Sequence, residues 1–243
     1  MKAMILAAGL GTRLRPLTDK IPKALVKIGN TPLLEFAIKK LYHYGFNDII
    51  INIHHYPDMI INFLEENRNF GANISISDER DMLLDTGGGL KKAASFFTGG
   101  EAFLVYNCDI VTDLNLLTLY KWHIEHGALC TLAVRDRETS RYFIFDNDNT
   151  LCGWWNKVTG EKKSVRWGGL KFRAMAFSGI QIINPRALDL FPDKKVFSLV
   201  EFYLLIARDH KIDGYDHSKT RWADIGKLDS LEHKQMICPE DYY

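Results

Sequence analysis

The stretch KAMILAAGLGTRLRPLT, residues 2–18, decides the fold. Its beginning, residues 2–7, is an apolar run after one lysine, which is typical of a buried strand. Gly9 and Gly11 follow directly and allow a turn in which backbone N–H groups approach a ligand closely. Ligands of open α/β sheets bind at the carboxyl ends of the strands. The stretch therefore predicts a first parallel strand followed by an anion-binding loop.

Two better-known phosphate-binding motifs do not fit this loop. Leu14 stands where a dinucleotide-binding Gly-x-Gly-x-x-Gly motif has its third glycine, and the Gly-Lys-Ser/Thr of a Walker loop does not occur. What remains is a flexible turn that carries Arg13 and Arg15. An arginine can bind two phosphate oxygens at once, so the loop still indicates a phosphate ligand.

The distribution of charge supports this interpretation. Residues 1–30 contain six lysines and arginines but one acid, whereas the whole chain of 243 residues has a net charge of +1. Such a local positive cluster in a near-neutral protein suits a compact anion. The near-neutral total excludes a protein that coats nucleic acid, and the 47% of hydrophobic residues excludes intrinsic disorder.

Strand-like and helix-like patterns alternate over the first half of the chain. They predict strands at residues 48–53, 74–77 and 102–106, and helices from Thr31-Pro32 to Gly45, over 57–67, after Gly89 as far as Phe97, and over 115–126. This alternation is typical of a mainly parallel sheet with helices on both faces. The predicted fold class is α/β, a Rossmann-like three-layer sandwich. Later, residues 142–145 and 151–155 predict a hairpin and 174–183 a further strand, which indicates a small antiparallel insertion.

Residues 6–18 and the following Pro22-Lys23 resemble the signature of the sugar-1-phosphate nucleotidyltransferases, also called NDP-sugar pyrophosphorylases. That signature is Leu-Ala-Ala-Gly-x-Gly-Thr-Arg-Leu-x-Pro-Leu-Thr followed by Pro-Lys, and the chain matches it closely. The resemblance implies that Arg13 contacts the β- and γ-phosphates of a nucleoside triphosphate and that Lys23 contacts the reacting phosphates. It also assigns nucleotide binding to Ala8, Gly9, Gly11 and Thr12.

The resemblance extends along the chain, so we expect one nucleotidyltransferase domain over residues 1–243. About 1–135 and 205–243 would form the nucleotide and metal core, and about 136–204 the sugar-binding part. Gly87, Gly88 and Gly89 lie where the family has a loop that packs against the nucleobase. Glycines suit a flat ring lying on bare backbone, although a tight β–α turn alone explains them equally well.

Two aspartates are implied as ligands of Mg²⁺. Asp109 follows a predicted buried strand where the family has Gly-Asp, although here Cys108 replaces the glycine. Asp224 lies in Trp-Ala-Asp-Ile-Gly, residues 222–226, which resembles the family's second metal-binding motif. Mg²⁺ needs one or two carboxylates plus phosphate oxygens and water, so such a pair suffices. Asp113 instead fits the N-cap of the next helix.

Phe177-Ser178-Gly179 resembles the family element that lines the sugar pocket, which implies sugar-binding roles for Ser178 and Gly179. Lys171 lies nearby in the sequence and is a third candidate. Trp154 and Trp155 offer aromatic faces for a sugar ring. Neighbours in a strand point to opposite sides, so at most one of the two tryptophans can face the ligand.

The resemblance implies that a sugar 1-phosphate attacks the α-phosphate of a nucleoside triphosphate and releases pyrophosphate. The nucleophile is already an anion, so the reaction needs positioning and bound cations more than a general base. We expect UTP and N-acetylmuramate 1-phosphate as substrates, in recycling of the cell wall. The alternatives are mannose-1-phosphate guanylyl transfer, cytidylyl transfer to choline phosphate, and a catalytically silent subunit that senses nucleotide sugars. Retention of Arg13, Lys23, Asp109 and Asp224 argues against the silent subunit.

The four cysteines form no Cys-x-x-Cys pair, which is typical of reduced thiols. No apolar run approaches the ~18 residues of a membrane span. We therefore expect a cytoplasmic protein whose partners are its two substrates, with neither membrane nor nucleic acid among them. The sequence does not indicate the oligomeric state.

Overall fold

The computed structural model describes residues 1–166 and 172–226. Its strands, numbered in chain order, are β1 (Lys2–Leu6), β2 (Lys27–Ile28), β3 (Thr31–Pro32), β4 (Asp48–Ile53), β5 (Asn73–Asp78), β6 (Phe103–Asn107), β7 (Ile110–Thr112), β8 (Cys130–Arg135), β9 (Arg141–Phe145), β10 (Leu151–Asn156), β11 (Lys162–Ser164), β12 (Arg173–Ile183), β13 (Ile212–Asp216) and β14 (Trp222–Asp224). Its α-helices are α1 (Leu33–His43), α2 (Pro57–Glu66), α3 (Asp85–Lys92), α4 (Leu116–His126) and α5 (Leu199–Ile206).

The central sheet is mainly parallel. β5, β4, β1 and β6 are neighbours in this order, and all of them run in the same direction. β12 lies antiparallel to β6 and to β8, and β13 lies parallel to β8. The predicted Rossmann-like α/β fold is therefore confirmed.

Helices cover both faces of this sheet, and β1 shows how the sequence permits it. Neighbouring residues of a strand point to opposite faces, and Ala3 and Ile5 pack into one core while Met4 packs into the other. The first core includes buried residues of α1, α2 and α4, and the second includes buried residues of α3 and α5. A central strand therefore needs an uninterrupted apolar run, since both of its faces are covered. The sheet and the helices on its two faces form three layers.

The predicted hairpin forms the start of a smaller antiparallel sheet, in which β9 pairs with β10 and β10 with β11. β12 joins this sheet to the central one, because its residues 173–175 pair with β9 and its residues 180–183 pair with β6. Between these parts the pairing register shifts and Gly179 adopts a φ of +76°. Glycine adopts such a φ without the steric cost of a side chain, so Gly179 marks the point where the strand changes sheets.

The predicted start of α1 is wrong. Thr31 and Pro32 form β3, which pairs with β2, and the helix begins at Leu33. Pro32 rather than Thr31 is the N-cap, without a side-chain hydrogen bond. The backbone N–H of Leu33 donates a hydrogen bond of 3.0 Å to Val26 O. The first helical N–H is therefore satisfied by the preceding strand segment rather than by a capping side chain.

Asp113 is not the N-cap of α4. That cap is Asn115, whose side chain accepts a hydrogen bond of 2.9 Å from Thr118 N. Asp113 accepts hydrogen bonds from Arg221 N at 2.7 Å and Arg221 Nε at 2.8 Å. Its carboxylate therefore ties the end of β7 to the start of β14, a long-range role that the local pattern does not show.

Candidate functional site

Two adjoining cavities open near the carboxyl ends of β1, β4 and β6. The first, called the central cavity, has a volume of about 400 Å³ and a lining that includes Ala8, Gly9, Lys23, Asn52, Asp85, Thr86, Asn107 and Asp109. The second, called the lateral cavity, has a volume of about 560 Å³ and a lining that includes Asp85, Thr86, Arg137, Thr139, Arg141, Trp154, Lys163 and Glu201. Asp85 and Thr86 belong to both linings, so a ligand that fills both cavities passes these residues.

The pairing of β7 with β14 brings Asp109 and Asp224 together. Asp109 directly precedes β7, and Asp224 is the last residue of β14 and pairs with Ile110. Ile225 N donates a hydrogen bond of 2.9 Å to Asp109 O, which holds the two strand ends side by side. The two metal ligands that the resemblance implies are therefore neighbours in the structure.

Arg13 and Lys23 lie at the same place. Lys23 forms an ion pair with Asp109, and both side chains are largely buried. Arg13 lies beside Asp224, because a Cβ atom added to Gly226 would stand 2.7 Å from both Arg13 Nη2 and Asp224 Oδ1. The structure therefore brings together the four residues to which the sequence analysis gave phosphate and metal roles.

Gly11 allows the loop to fold back and carry Lys23 into the site. Its φ is +64°, and a Cβ atom there would stand 2.7 Å from Thr18 Cγ2 and 3.0 Å from Lys23 Cβ. Thr18 Oγ1 donates a hydrogen bond of 2.8 Å to Gly11 O, which closes the loop. The packing of the loop itself therefore requires this glycine. Of the other loop candidates, Ala8 and Gly9 line the central cavity and Thr12 is exposed.

The carboxylate pair is suited to a divalent cation. Burial raises the pKa of Asp224, the Asp109 carboxylate raises it further, and Lys23, Gly226 N–H and Arg13 act in the opposite direction. Within the described residues no group of three or more His, Cys, Asp or Glu side chains could hold a metal. Mg²⁺ does not need such a group when substrate phosphates supply further oxygens. The two donors therefore fit a hard cation that is shared with a phosphate ligand.

The glycines of α3 differ from the prediction. Residues 87–89 lie inside the helix rather than before it, and all three are buried. A Cβ atom at Gly88 would stand 2.1 Å from Lys195 O, so packing of α3 against the segment before α5 requires a glycine. Asp85 and Thr86 form the wall of the central cavity at this position. Contact of the three glycines with a nucleobase stays a prediction.

Gly88→Ala should destabilise the fold. Its methyl group would overlap Lys195 O, so we expect the free energy of unfolding to fall by about 1–3 kcal/mol. Urea denaturation measures this change. Gly9→Ala is the matched control, because no atom lies within 4 Å of a Cβ atom at Gly9. Its free energy of unfolding should change by less than about 1 kcal/mol, and equal loss in both variants would contradict the packing argument.

A buried hydrogen-bond network, which the sequence analysis missed, links two walls of the central cavity. Asn52 Oδ1 accepts a hydrogen bond of 2.8 Å from Ala7 N, and Asn52 Nδ2 donates one of 2.7 Å to Glu79 Oε1. Glu79 Oε2 accepts one of 3.1 Å from Leu84 N, directly before α3. Burial raises the pKa of Glu79, whereas the hydrogen bonds from Asn52 and Leu84 lower it. The signal in the sequence was a polar residue at the carboxyl end of a strand, the same signal that indicated Asp109.

Asn52→Ala should lower stability, because it removes two buried hydrogen bonds and leaves the Glu79 carboxylate with one partner fewer. We expect the free energy of unfolding to fall by about 1–3 kcal/mol, as measured by urea denaturation. Asn73→Ala is the control, since Asn73 Nδ2 donates a 3.0 Å hydrogen bond to Asp48 Oδ1 at an exposed position. If the free energy of unfolding fell as much in Asn73→Ala as in Asn52→Ala, the buried network would contribute no more stability than an exposed hydrogen bond.

Ser178 and Gly179, two of the predicted sugar-binding residues, are not among the residues that line the two cavities. Ser178 is completely buried and its Oγ lies 2.6 Å from His217 Nε2, so its side chain faces the core rather than a cavity. Gly179 packs against Asn107, because a Cβ atom there would stand 2.9 Å from Asn107 Nδ2. Lys171 lies outside the described residues. The Ser178 hydroxyl group is already used within the core, and the sugar-binding role of Ser178 and Gly179 stays a prediction.

The two tryptophans point to opposite sides of β10. Trp154 lines the lateral cavity. Trp155 stacks with Tyr142, with ring centroids 5.8 Å apart. Of the two aromatic faces, that of Trp154 is therefore the one available to a sugar ring in the lateral cavity.

Arg137 is a further residue that the sequence analysis missed. Its Cζ lies 4.5 Å from the ring centroid of Trp222, and its Nη2 donates a hydrogen bond of 3.2 Å to Phe177 O. Burial lowers the pKa of Arg137, and the carboxylate of Asp224 raises it. The Trp222 ring therefore supports an arginine between the carboxylate pair and the lateral cavity.

The fold and the site together define an α/β protein in which two basic and two acidic side chains meet at the carboxyl edge of the sheet. Residues 2–160, more than half of the chain, match the family described as Nucleotidyl transferase. The chain belongs to the nucleotidyl transferase family. None of the helices in residues 1–166 and 172–226 has the length and apolar character needed to cross a membrane.

The chain is similar to curated enzymes that act on sugar 1-phosphates. Mannose-1-phosphate guanyltransferase of Candida albicans is 29% identical over 258 residues, which cover 100% of this chain and 69% of that protein. UTP–glucose-1-phosphate uridylyltransferase of Synechocystis sp. is 31% identical over 242 residues, which cover 94% of this chain and 61% of that protein. This chain therefore spans 61–69% of the length of these two relatives.

A solved structure supports the fold. HddC from Yersinia pseudotuberculosis, complexed with GMP-PN, has a TM-score of 0.73 and covers 97% of this chain, with 98% of its own chain covered. The two sequences are 22% identical, so this similarity establishes the architecture and not the activity.

Proposed function

We propose that this chain transfers a nucleotidyl group from a nucleoside triphosphate to a sugar 1-phosphate and releases pyrophosphate. The observation that carries the proposal is the meeting of Arg13, Lys23, Asp109 and Asp224 at one edge of the sheet. The names of the relatives, which are guanylyl and uridylyl transferases for sugar 1-phosphates, agree with it. The two adjoining cavities provide separate space for a nucleotide and for a sugar.

The reaction forms a bond between a sugar phosphate oxygen and the α-phosphorus while the bond from that phosphorus to pyrophosphate breaks. Two polyanions must meet, so neutralising and orienting them is the main task of the protein. In this proposal Lys23 contacts the reacting phosphates and Arg13 contacts the β- and γ-phosphates. Asp109 and Asp224 would hold Mg²⁺, whose charge, when it is bound, offsets that of the phosphates.

We propose UTP and N-acetylmuramate 1-phosphate as the two substrates. GTP with mannose 1-phosphate is the second candidate, because one of the relatives is named as a mannose-1-phosphate guanyltransferase. Pyrophosphate release tests both. The four nucleoside triphosphates are combined with a panel of sugar 1-phosphates, with and without Mg²⁺, and choline phosphate is included.

Pyrophosphate release should occur with UTP and N-acetylmuramate 1-phosphate and should cease in EDTA. Faster release with GTP and mannose 1-phosphate would establish the second candidate. A folded protein that releases pyrophosphate with no pair, but binds nucleotide sugars, would overturn the proposed activity in favour of a sensing subunit.

A further inference from the structure

The lateral cavity carries positive charge that the structure does not neutralise. Arg137 and Arg141 line it, and within the described part of the chain neither has a carboxylate at ion-pair distance. Arg137 Nε is buried without a hydrogen-bond partner. Buried donors of this kind are normally satisfied. The cavity is therefore prepared for an anionic ligand.

A third cation, Lys163, shares a face of the antiparallel sheet with Arg141. Trp154 pairs with Phe143 on one side and with Lys163 on the other. Arg141 lies two residues before Phe143, and residues two apart in a strand share a face. Lys163 Nζ lies 5.4 Å from the ring centroid of Trp154. Each strand next to Trp154 thus brings a cation to the face that lines the lateral cavity.

Arg137 and Arg141 have different surroundings. Arg137 interacts with Asp224, so it lies on the side where the reacting phosphates are bound in the proposed function. Arg141 is the first residue of β9, beside the strand that carries Trp154. A sugar 1-phosphate whose phosphate meets Arg137 would extend its ring towards Trp154. Arg141 and Lys163 are then left for a second negative charge on the sugar.

Among the described residues no carboxylate forms an ion pair with Arg137 or Arg141. Asp85, in the lining, accepts a hydrogen bond of 2.6 Å from Thr86 N. Glu201, in the lining, pairs with Lys194 at 3.5 Å. Glu161 pairs with Lys163 at 3.4 Å, but about half of each side chain is exposed. Exposed pairs of this kind contribute little stability and exchange partners readily. Lys163 can therefore exchange Glu161 for an anionic group of a ligand. Glu201 can accept hydrogen bonds from sugar hydroxyl or amide groups.

We propose that the lateral cavity selects a sugar 1-phosphate whose sugar carries a carboxylate, and that Arg141 and Lys163 bind this carboxylate. The inference rests on the proposed function and narrows its second substrate to acidic sugars. The planar guanidinium of Arg141 can bind both oxygens of a carboxylate, and the Trp154 ring supports the sugar face. A neutral sugar would leave Arg141 without a carboxylate partner and Lys163 with the exposed Glu161 alone.

The test compares two pairs of substrates that differ in acidity. N-acetylmuramate 1-phosphate is compared with N-acetylglucosamine 1-phosphate, and glucuronate 1-phosphate with glucose 1-phosphate. The wild-type protein should favour an acidic member in kcat/KM. Arg141→Gln and Lys163→Gln should each lower kcat/KM for that acidic sugar about tenfold or more, as expected for a lost charge-assisted hydrogen bond. They should change the value for its neutral counterpart less than about twofold.

Lys162→Gln is the matched control. It removes the same charge from the same strand, but Lys162 lies over Trp155, on the opposite side of β11, with its Nζ 5.6 Å from that ring. This variant should leave both substrates unaffected. A wild-type protein that uses the neutral sugars equally well, or an Arg141→Gln variant that loses activity equally on both, would overturn the inference.

Calorimetric binding of the sugar 1-phosphates separates failure of this inference from failure of the proposed function. If no pair releases pyrophosphate, the proposed function fails. Tighter binding of the acidic sugar, abolished by Arg141→Gln and retained by Lys162→Gln, would still support the acidic-sugar site. Equal binding of acidic and neutral sugars would overturn it.

Discussion

Asp224→Asn should reduce kcat for pyrophosphate release by about 10²-fold or more, the magnitude that accompanies loss of a principal electrostatic stabiliser. The Asp224 carboxylate lies beside Asp109, and together these residues offer the negative charge that a divalent cation requires. Asparagine keeps the shape and can still accept the 2.7 Å hydrogen bond from Gly226 N. It lacks the charge, so the loss should appear in turnover rather than in folding.

Asp109→Asn should show a similar loss. Asp58→Asn serves as the control, because the Asp58 side chain is 77% exposed, pairs with Arg80 and lines neither cavity. Steady-state kinetics over a range of Mg²⁺ concentrations measures these effects. Wild-type turnover that stays near normal in EDTA would contradict a metal role for the pair.

The stability of Asp224→Asn separates loss of metal from loss of fold. Burial and the Asp109 carboxylate raise the pKa of Asp224 in the folded protein. A carboxyl group with a raised pKa costs stability once the pH exceeds its unfolded value of about 4. Without metal, the variant should therefore be at least as stable as the wild type at pH 7, and this advantage should disappear as the pH falls below about 4.

Thermal unfolding at pH 7 and pH 3 checks this expectation. Added Mg²⁺ should raise the unfolding temperature of the wild type but not that of the variant, because a ligand stabilises only the form that binds it. A variant that is clearly less stable than the wild type at pH 7 without metal would show that Asp224 has a structural role.

The parts of the molecule that sequence predicted well are those with local causes. β1 and the loop after it follow from an apolar run and two closely spaced glycines, and the structure places this loop at the sheet edge as expected. The alternation of strand and helix patterns in the sequence predicted the three layers for the same reason. Periodicity depends on neighbours in the chain, which the sequence shows directly.

Long-range packing explains what the sequence did not show. Gly88 is required by the carbonyl oxygen of Lys195, a residue more than a hundred positions away. Ser178 points into the core because His217 and Trp222 bond to its hydroxyl and carbonyl oxygens, at 2.6 and 3.0 Å. No local pattern encodes such partners. The resemblance implied that Asp109 and Asp224 act together, and the pairing of β7 with β14 brings them side by side, while their role as metal ligands stays a prediction.

Arg137 belongs to none of the sequence motifs, but it contacts a residue of one of them. Trp222 is part of the motif Trp-Ala-Asp-Ile-Gly. Its ring also contacts the Arg137 guanidinium, whose Cζ lies 4.5 Å from the ring centroid. The tryptophan and the aspartate of the motif therefore both attract cations, the ring the Arg137 guanidinium and the carboxylate Lys23 and Arg13.

Arg13→Lys should reduce kcat/KM for the nucleoside triphosphate by about 10-fold or more, the size of a lost bidentate contact to a charged group. Arg13 lies beside Asp224 and is exposed. Lysine keeps the positive charge, but it presents a single ammonium group in place of a planar fork. The variant therefore tests geometry at constant charge, and steady-state kinetics with varied nucleotide measures it.

Lys20→Gln is the control for charge alone, because Lys20 is exposed in the same segment and has no role in the proposed site. If Arg13 binds phosphate oxygens directly, Arg13→Lys is impaired at both low and high salt while Lys20→Gln stays near normal. If Arg13 supplied only long-range attraction, Arg13→Lys would be harmless. Raised salt would then remove the differences between the variants, since exposed charges are screened beyond about 10 Å at 0.1 M ionic strength. Kinetics at two ionic strengths therefore distinguishes a phosphate ligand from a generally basic surface.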